Sequence, residues 1–313
     1  MSTNERTSIR TGLALALFTA TASAASAQDI EIAPRLRAGD TFRLEIVRVR
    51  ENSQQPQLNG RSTTPVDVLV DSVTTTGLTL EWTQGPTTFE NPQVAADPLL
   101  AAASNAVRGI KLRITLSADG EYSGLANEAE VTTALRKGTD TIIQAILPKL
   151  PLEQRTTFEK MIGQLLSPAL LIASATREPQ MYFGLNAVSL AVGEVVDAKI
   201  DQPNPIGAGV IPTVFRVTMD SATSDSADLR TTTTYDAAAL RQMTAAIVAR
   251  SGKALSEEDL AELPPIELAD DGRYVFDRVS GLMLEVVVNR RVSAGGVRRL
   301  DGWIIRLGEA PKR

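Results

Sequence analysis

Carboxylates are the side chains in this sequence whose chemistry needs no cofactor. Two Asp or Glu residues in one cleft can hydrolyse a glycosidic bond. The candidate pool is Asp119, Asp271, Asp277, Glu285 and Asp301. Sugar sites usually present aromatic platforms, but aromatic residues make up 4% of the chain, and both tryptophans lie in phase with apolar strand positions. A carboxylate-only hydrolase is therefore an alternative and not the leading hypothesis.

Histidine and cysteine are absent from all 313 residues, which removes most other site chemistry. Ser-His-Asp and Cys-His catalysis lack a base or a nucleophile, and zinc, copper and haem lose their usual ligands. Calcium needs only oxygen ligands, but Asp270-Asp271-Gly272 lacks the alternating carboxylates of an EF-hand loop and is typical of a tight turn. We expect no cofactor, no metal and no enzymatic activity.

Two arginine pairs near the C-terminus indicate a small basic patch. Arg290-Arg291 and Arg298-Arg299 are predicted to face each other across a hairpin centred on Ala294-Gly295-Gly296. Such a patch could contact an anionic partner, and the alternative is a solvated strand face flanked by acids. The whole chain carries a net charge of −5, so we expect no nucleic-acid partner.

Apolar side chains in the middle of the chain are the most suggestive non-catalytic feature. Residues 128–176 are predicted to be largely helical, broken at Gly138, Pro148, Pro151 and Pro168, with more apolar surface than short helices need. The residues of a candidate apolar groove are Ile142, Ile146, Phe158, Met161, Leu165, Leu170, Tyr182 and Phe183. The alternative is that these helices cover a sheet and their apolar faces belong to the core.

The first 27 residues have the order of a secretory signal peptide. Arg6 and Arg10 precede an uncharged, partly apolar run that ends in Ala25-Ser26-Ala27, and we expect cleavage after Ala27. The apolar centre is shorter than the roughly 20 residues that span a bilayer. The chain also has no cysteine to accept a lipoprotein acyl chain. We therefore expect a periplasmic or extracellular protein without a transmembrane anchor.

Alternating apolar residues predict antiparallel strands in both halves. Phe42, Leu44 and Ile46 begin one strand, and a bulge is predicted where the apolar phase moves to Val47 and Val49. The other predicted strands are 66–70, 78–82, 110–116, 215–219, 229–235, 282–292 and 297–307. The predicted helices outside the middle segment are 99–108, ended by Gly109; 237–250, capped by Asp236; and a short one begun by Ser256 and Asp259.

Three landmarks recur in the same order and suggest an internal duplication. They are Gly39-Asp40, Asp71-Ser72 and Asp119-Gly120 in the first half, and Gly193-Glu194, Asp220-Ser221 and Asp271-Gly272 in the second. The predicted units are residues 28–179, with the helical segment 128–176, and residues 180–313. We expect an antiparallel, β-rich α+β fold whose sheet is curved, or a half-barrel, and wraps helices.

Several short features resemble a group of secreted bacterial proteins of unknown function. They are the strand opener 36–42, the threonine-rich strands, the Asp-Gly turn within 116–125, and Asp301-Gly302-Trp303. The resemblance implies an exported protein and brings no catalytic residues. The leading hypothesis is a non-enzymatic cell-envelope protein that binds an apolar ligand such as a lipid, or a protein partner. An assembly factor without a small ligand is a further alternative.

Overall fold

The computed structural model describes residues 30–97, 104, 107–153, 155–156, 168–203, 210–250, 258 and 265–312. The predicted signal peptide, most of the predicted helix 99–108, and the residues Ser256 and Asp259 lie outside this part of the chain. So do Phe158, Met161 and Leu165 of the candidate groove.

One large antiparallel sheet dominates the fold, as the alternating sequence predicts. The strands are β1 (Ile30–Glu31), β2 (Thr41–Asn52), β3 (Gly60–Thr74), β4 (Gly77–Gln84), β5 (Thr88–Phe89), β6 (Lys111–Ser117), β7 (Tyr122–Leu125), β8 (Ser189–Leu190), β9 (Val195–Pro203), β10 (Val210–Ala222), β11 (Ser226–Tyr235), β12 (Glu267–Asp277), β13 (Met283–Ala294) and β14 (Val297–Lys312). The order across the sheet is β7-β6-β4-β3-β2-β14-β13-β12-β11-β10-β9, with β5 added beside β3. β1 and β8 form a separate two-stranded sheet.

Strand β2 shows why the sheet has one buried face. Phe42, Leu44 and Ile46 are buried and point to the same side, which we call the inner face. The predicted bulge is wrong, because the pairing of β2 with β3 and β14 continues without a shift through Val47 and Val49. These two valines instead lie on the outer face, where they form a local apolar patch.

The α-helices whose bounds lie within the described residues are α1 (Pro92–Ala95), α2 (Glu128–Ile146), α3 (Pro168–Ala175), α4 (Arg177–Phe183) and α5 (Ala237–Arg250). The Asp236 carboxylate accepts a hydrogen bond of 2.7 Å from the backbone of Ala239, which confirms the predicted cap of α5. The predicted break at Gly138 is wrong, because α2 continues through it; glycine weakens a helix by about 1 kcal/mol without ending it. Of the described helices, none has both the length and the hydropathy to span a membrane.

The opener of β2 is a hydrogen-bonded Gly-Asp corner. Gly39, at φ +89°, donates its N–H to the carbonyl of Val70 over 2.8 Å, and Val70 donates back to Asp40 over 2.9 Å. The Asp40 carboxylate closes the corner by accepting the N–H of Arg37 over 2.8 Å. This corner fixes the start of β2 against Val70, the last of the alternating buried residues of β3.

The opener of β9 has the same hydrogen bonds. Gly193, at φ +83°, donates to Met219 over 2.8 Å, and Met219 donates back to Glu194 over 3.2 Å. The Glu194 carboxylate accepts the N–H of Ala191 over 2.8 Å. The register also shifts just after the partner residue in each case, between 70 and 72 on β3 and between 219 and 221 on β10.

The third landmark does not match. Asp119-Gly120 forms the β6–β7 turn, with Gly120 at φ +85°. The predicted turn at Asp271-Gly272 is wrong, since both residues lie inside β12. A Cβ on Gly272 would lie 2.4 Å from Thr231 Oγ1 and 2.9 Å from the Tyr274 ring, so this glycine makes room within the strand pair.

Contacts across the core show that the sheet is strongly curved. Tyr182 of α4 lies with its ring centroid 6.4 Å from that of Trp82 on β4 and donates its hydroxyl to Met283 O on β13 over 2.8 Å. β4 and β13 are four strand spacings apart, about 19 Å in a flat sheet, which is more than these side chains span. Glu121, beside β7, and Val196 on β9 also line one cleft of about 40 Å³. The two sheet edges therefore approach each other.

Residues 30–36, which we call the closing segment, cross one end of the curved sheet. Ile32 exchanges backbone hydrogen bonds with the 187–188 segment at 2.7 and 3.2 Å, and Arg35 donates to Ser280 O over 2.8 Å. The segment passes so close to Gly281 that a Cβ there would lie 1.8 Å from Ala33 O. This end of the inner face is therefore covered.

Candidate functional site

The described residues of the predicted apolar groove divide between core and helix surface. Tyr182 and Phe183 are fully buried, with ring centroids 4.9 Å apart, so they belong to the packed core and do not line an open groove. Ile142 and Ile146 on α2, and Leu170 on α3, are half-buried. The core interpretation holds for the two aromatic residues, and the helix stripes remain the candidate apolar surface.

The five carboxylates of the hydrolase hypothesis are not brought together. Asp271, Glu285 and Asp301 form ion pairs with Arg291, Arg306 and Arg299. Asp271 and Glu285 alternate with inward-facing residues and lie on the outer face, whereas Asp301 lies on the inner face. Asp119 lies in the β6–β7 turn.

Asp277 serves the β12–β13 turn. Burial tends to raise the pKa of this carboxyl, but hydrogen bonds from the Ser280 hydroxyl and from the N–H groups of Val279 and Ser280 hold it below its usual value. A carboxylate committed to its own turn in this way is not available as a general acid.

The predicted opposition of the two arginine pairs is wrong, because the turn lies one residue later than predicted and each arginine is paired two residues away from its predicted partner. The turn between β13 and β14 uses two residues, so Arg290 pairs with Asp301 and Arg299 pairs with Val292. Within each pair the two side chains point to opposite faces. Arg290 and Arg299 consequently lie on the inner face, which the sequence analysis did not predict.

A row of charges crosses the inner face on four neighbouring strands. Arg50 on β2 is the register partner of Asp301 on β14, Asp301 of Arg290 on β13, and Arg290 of Asp270 on β12. Arg290 Nη2 lies 2.6 Å from Asp270 Oδ2, and Asp301 lies 2.6 Å from Arg299 Nε and 3.6 Å from Arg50 Nε. The apolar part of the inner face stops at this row of charges.

Tyr235 on β11 extends this row. Its hydroxyl donates to Asp270 Oδ2 over 2.6 Å and accepts from Arg290 Nη2 over 3.0 Å. Burial raises the pKa of Tyr235, and the hydrogen bond to Asp270 raises the pKa of Arg290, so both groups keep their protons at neutral pH. The Asp270–Arg290–Tyr235 triangle is a fixed polar anchor and not a proton-transfer pair.

Helix α4 adds a buried acid above the row. Glu178 has 1% of its side chain exposed, and its Oε1 lies 2.5 Å from Arg48 Nη2. Its Oε2 is buried and makes no hydrogen bond with the described residues. Glu178 therefore holds Arg48 at the inner face and keeps one acceptor without a donor.

Arg177, the residue before Glu178 and the first of α4, lies over the face of Trp303. Its guanidinium carbon is 5.5 Å from the ring centroid. It makes no hydrogen bond or ion pair with any residue that the structure describes, and it is exposed. Desolvation is the largest influence on the pKa of Arg177 and lowers it; the Glu178 charge opposes this, the charges of Arg290 and Arg48 lower the pKa further, and the charge of Asp301 raises it. Arg177 therefore lies near two cations and two carboxylates without a direct ion pair to either acid.

We name Arg48, Arg50, Arg177, Arg290 and Arg299 the inner arginine cluster. Its three acids, Glu178, Asp270 and Asp301, are 1–16% exposed, whereas their arginine partners are 37–57% exposed. The acids of the outer-face ion pairs are 21–67% exposed. The inner acids are thus more buried than the arginines they pair with, and the charge that the inner face presents to solvent is positive.

A signal for this cluster exists in the sequence. The period of two that places Phe42, Leu44 and Ile46 inward continues to Arg48 and Arg50. The same continuation takes β14 from Ile305 to Asp301 and β13 from Val286 to Arg290. The register that aligns these positions in one row was not available from the sequence.

Arg48 is expected to matter for stability because its partner is buried. Arg48→Met would leave Glu178 buried without a cation, and we expect the free energy of unfolding to fall by about 1–2 kcal/mol. Arg43→Met on the same strand is the control, since the Arg43–Asp67 pair is exposed on both sides and solvent screening should make its loss clearly smaller. Equal losses in urea denaturation would contradict the proposed difference in burial.

Comparisons with known proteins add little to this geometry. No protein-family profile matches the chain, and no curated protein matches it. A solved structure described as "Lipid-protein interactions in lipovitellin" is similar with a TM-score of 0.40 and 10% sequence identity. The match covers 88% of this chain and 26% of the lipovitellin chain, so this chain spans about a quarter of that protein. A likeness at this level carries no argument about function.

Within the described residues, no group of three or more Asp or Glu side chains could hold a metal ion.

Proposed function

We propose that this chain is an exported, non-enzymatic binding protein that holds an apolar ligand between the inner face and the helical segment 128–176. The observation that carries the proposal is the asymmetry of the inner face. One end is covered by the closing segment, and the other ends in the exposed inner arginine cluster. Helix α3 leads directly into Arg177 and presents half-buried Leu171 and Ile172 beside the core.

The half-buried stripe of α2 supports the same proposal. Ile142, Ile143 and Ile146 recur with the spacing of one helix face, yet they are not fully buried by the described residues. In the N-terminal half of α2, by contrast, Val131 and Leu135 are buried in the main core. An apolar ligand along α2 and α3 would cover the exposed part of this stripe.

We also propose that residues 28–179 and 180–313 are two related units. The matching corners at Gly39-Asp40 and Gly193-Glu194, with the same three hydrogen bonds and the same following register shift, support a duplication. The two units contribute opposite halves of one sheet, joined where β2 pairs with β14. A duplicated strand group is one way to produce a sheet wide enough to curve around helices.

A protein partner is a second candidate occupant. The cleft that Glu121 and Val196 share holds only about 40 Å³, which is too little for a lipid. In the described part of the sheet, β9 is an edge strand with a partner on one side only. Val195 on β9 and Val210 on the neighbouring β10 are exposed. An assembly factor would dock at such an edge.

The test of the ligand proposal is native mass spectrometry of the protein purified gently from its own host, followed by delipidation and titration with a fluorescent fatty acid. We expect a co-purifying apolar molecule and saturable binding of the probe at one site. Ile142→Asp together with Ile146→Asp should weaken binding about tenfold or more, since two apolar contacts are lost. Val279→Asp, at an exposed turn position, is the matched control. No bound molecule and no probe binding would overturn the proposal.

Export is tested separately by sequencing the N-terminus of the processed protein. We expect the mature chain to begin at Gln28. A chain that retains Met1 in the envelope fraction would contradict the proposed cleavage.

A further inference from the structure

We propose that the inner arginine cluster binds the anionic head group of an amphiphile, a carboxylate or a phosphate, while the apolar tail lies along α2 and α3. The position of the tail rests on the proposed function, whereas the anion site rests on the cluster alone.

The charge balance within the cluster leaves positive charge uncompensated. Five arginines meet three carboxylates, and two of those carboxylates each hold a single arginine: Glu178 holds Arg48 and Asp270 holds Arg290. Asp301 is shared by Arg50 and Arg299. Arg177 has no acid partner among the described residues. An anion placed beside Arg177 would supply the missing charge.

The geometry of Arg177 suits an anion better than it suits a structural role. Trp303 supports one face of the guanidinium, which leaves its N–H donors directed along the edges of the plane. A guanidinium offers paired donors that match the two oxygens of a carboxylate or a phosphate. Arg48 and Arg290 are close enough to Arg177 to depress its pKa, so a bound anion would interact with all three.

The buried acids make the cluster a prearranged site. Each carboxylate fixes at least one arginine, Tyr235 adds a second contact to Arg290, and Trp303 supports Arg177, so these guanidinium groups do not have to be ordered when a ligand binds. Prearranged donors lower the entropic cost of binding. The acids of the outer-face ion pairs are more exposed and hold their arginines less firmly in place.

The neighbouring apolar side chains favour an amphiphile over a free anion. Trp303 and Val288 are register partners directly before the charged row, and Ile172 lies five residues before Arg177 at the end of α3. A head group at Arg177 would therefore place its tail against apolar side chains. Inorganic phosphate would satisfy the charge but would leave these contacts unused.

The experiment compares palmitate, methyl palmitate and inorganic phosphate on the delipidated protein by isothermal titration calorimetry. We expect palmitate to bind at least tenfold more tightly than its neutral ester, because hydrogen bonds from a guanidinium to a charged carboxylate are stronger than those to a neutral ester. Arg177→Gln should remove that difference and leave ester binding unchanged. Arg43→Gln, an exposed arginine on the outer side of β2, should leave palmitate binding unchanged.

Each outcome separates the head-group site from the proposed function. Equal binding of palmitate and its ester, with no effect of Arg177→Gln, would overturn the head-group site and leave the apolar-ligand function standing. Binding of neither lipid would overturn the proposed function. If inorganic phosphate then bound in an Arg177-dependent manner, the site would serve a free anion and the amphiphile proposal would be wrong. Circular dichroism of each variant verifies that it is folded.

Discussion

Replacement of Tyr182 by alanine is expected to lower the free energy of unfolding by about 3–5 kcal/mol, because a fully buried aromatic ring would leave a cavity in the core. The ring packs edge-on against both Trp82 and Phe183, at centroid distances of 6.4 and 4.9 Å. It also ties α4 to β13 through Met283 O, so its loss affects both the core and the curvature of the sheet. Urea denaturation followed by circular dichroism measures the change.

Tyr182→Phe is the matched control. It retains the ring and removes only the hydroxyl, so we expect a loss of about 1 kcal/mol from the unsatisfied Met283 carbonyl. Burial raises the pKa of Tyr182, so the phenol stays neutral and this comparison should not change between pH 6 and about pH 9. A loss below about 1 kcal/mol for Tyr182→Ala would mean that α4 does not pack inside the sheet as described.

Gly281→Ala is expected to have the second large effect. The residue has φ +71°, which L side chains rarely adopt, and the new Cβ would lie 1.8 Å from Ala33 O. Backbone must move to relieve this contact, and the hydrogen bond from Arg35 to Ser280 would be strained or lost. We expect a loss of about 3 kcal/mol or more, from left-handed strain and overpacking together.

Gly296→Ala separates these two causes. Gly296 has a similar φ of +81°, but no atom lies within 4 Å of the position of its Cβ. This variant should show only the left-handed strain, about 1–2 kcal/mol. Equal losses for the two variants would mean that the closing segment is not packed against the β12–β13 turn.

Much of the sheet could be predicted because its strands are amphipathic. The alternation in β2, β11, β13 and β14 identifies strands whose inner residues must be buried, and Asp236 marks the start of α5 through ordinary capping. The two strand openers, Gly39-Asp40 and Gly193-Glu194, could also be recognised in the sequence. In each, a glycine followed by an acidic residue precedes an apolar run, which is typical of a tight turn into a strand. These features depend on local sequence.

The incorrect predictions concern positions where pairing between segments distant in sequence determines the local structure. Asp271-Gly272 has the composition of a turn, but the Tyr274 ring and Thr231 occupy the space where a side chain would lie, and the strand continues. The position of the β13–β14 turn differed by one residue, which changed the predicted partners of all four arginines. The apolar phase moves to Val47 and Val49, which is the pattern of a bulge. The strand is regular here, and these two valines are apolar residues on its outer face.

The candidate site could not be predicted because four strands and a helix that are distant in sequence build it. Arg50, Asp301, Arg290 and Asp270 are ordinary alternating charges until the register places them in one row. Arg177 and Glu178 reach the row only because α4 packs inside the curved sheet. The aromatic residues Tyr182 and Phe183, predicted for a groove, provide that packing instead.

The most direct test of the account is photo-crosslinking of the delipidated protein with a fatty acid that carries a diazirine in its tail, followed by peptide mapping. We expect labels on α2 and α3, which competing palmitate removes and which Arg177→Gln reduces. Labels on the exposed edge near Val195 and Val210, or labels unaffected by palmitate, would contradict a ligand site on the inner face.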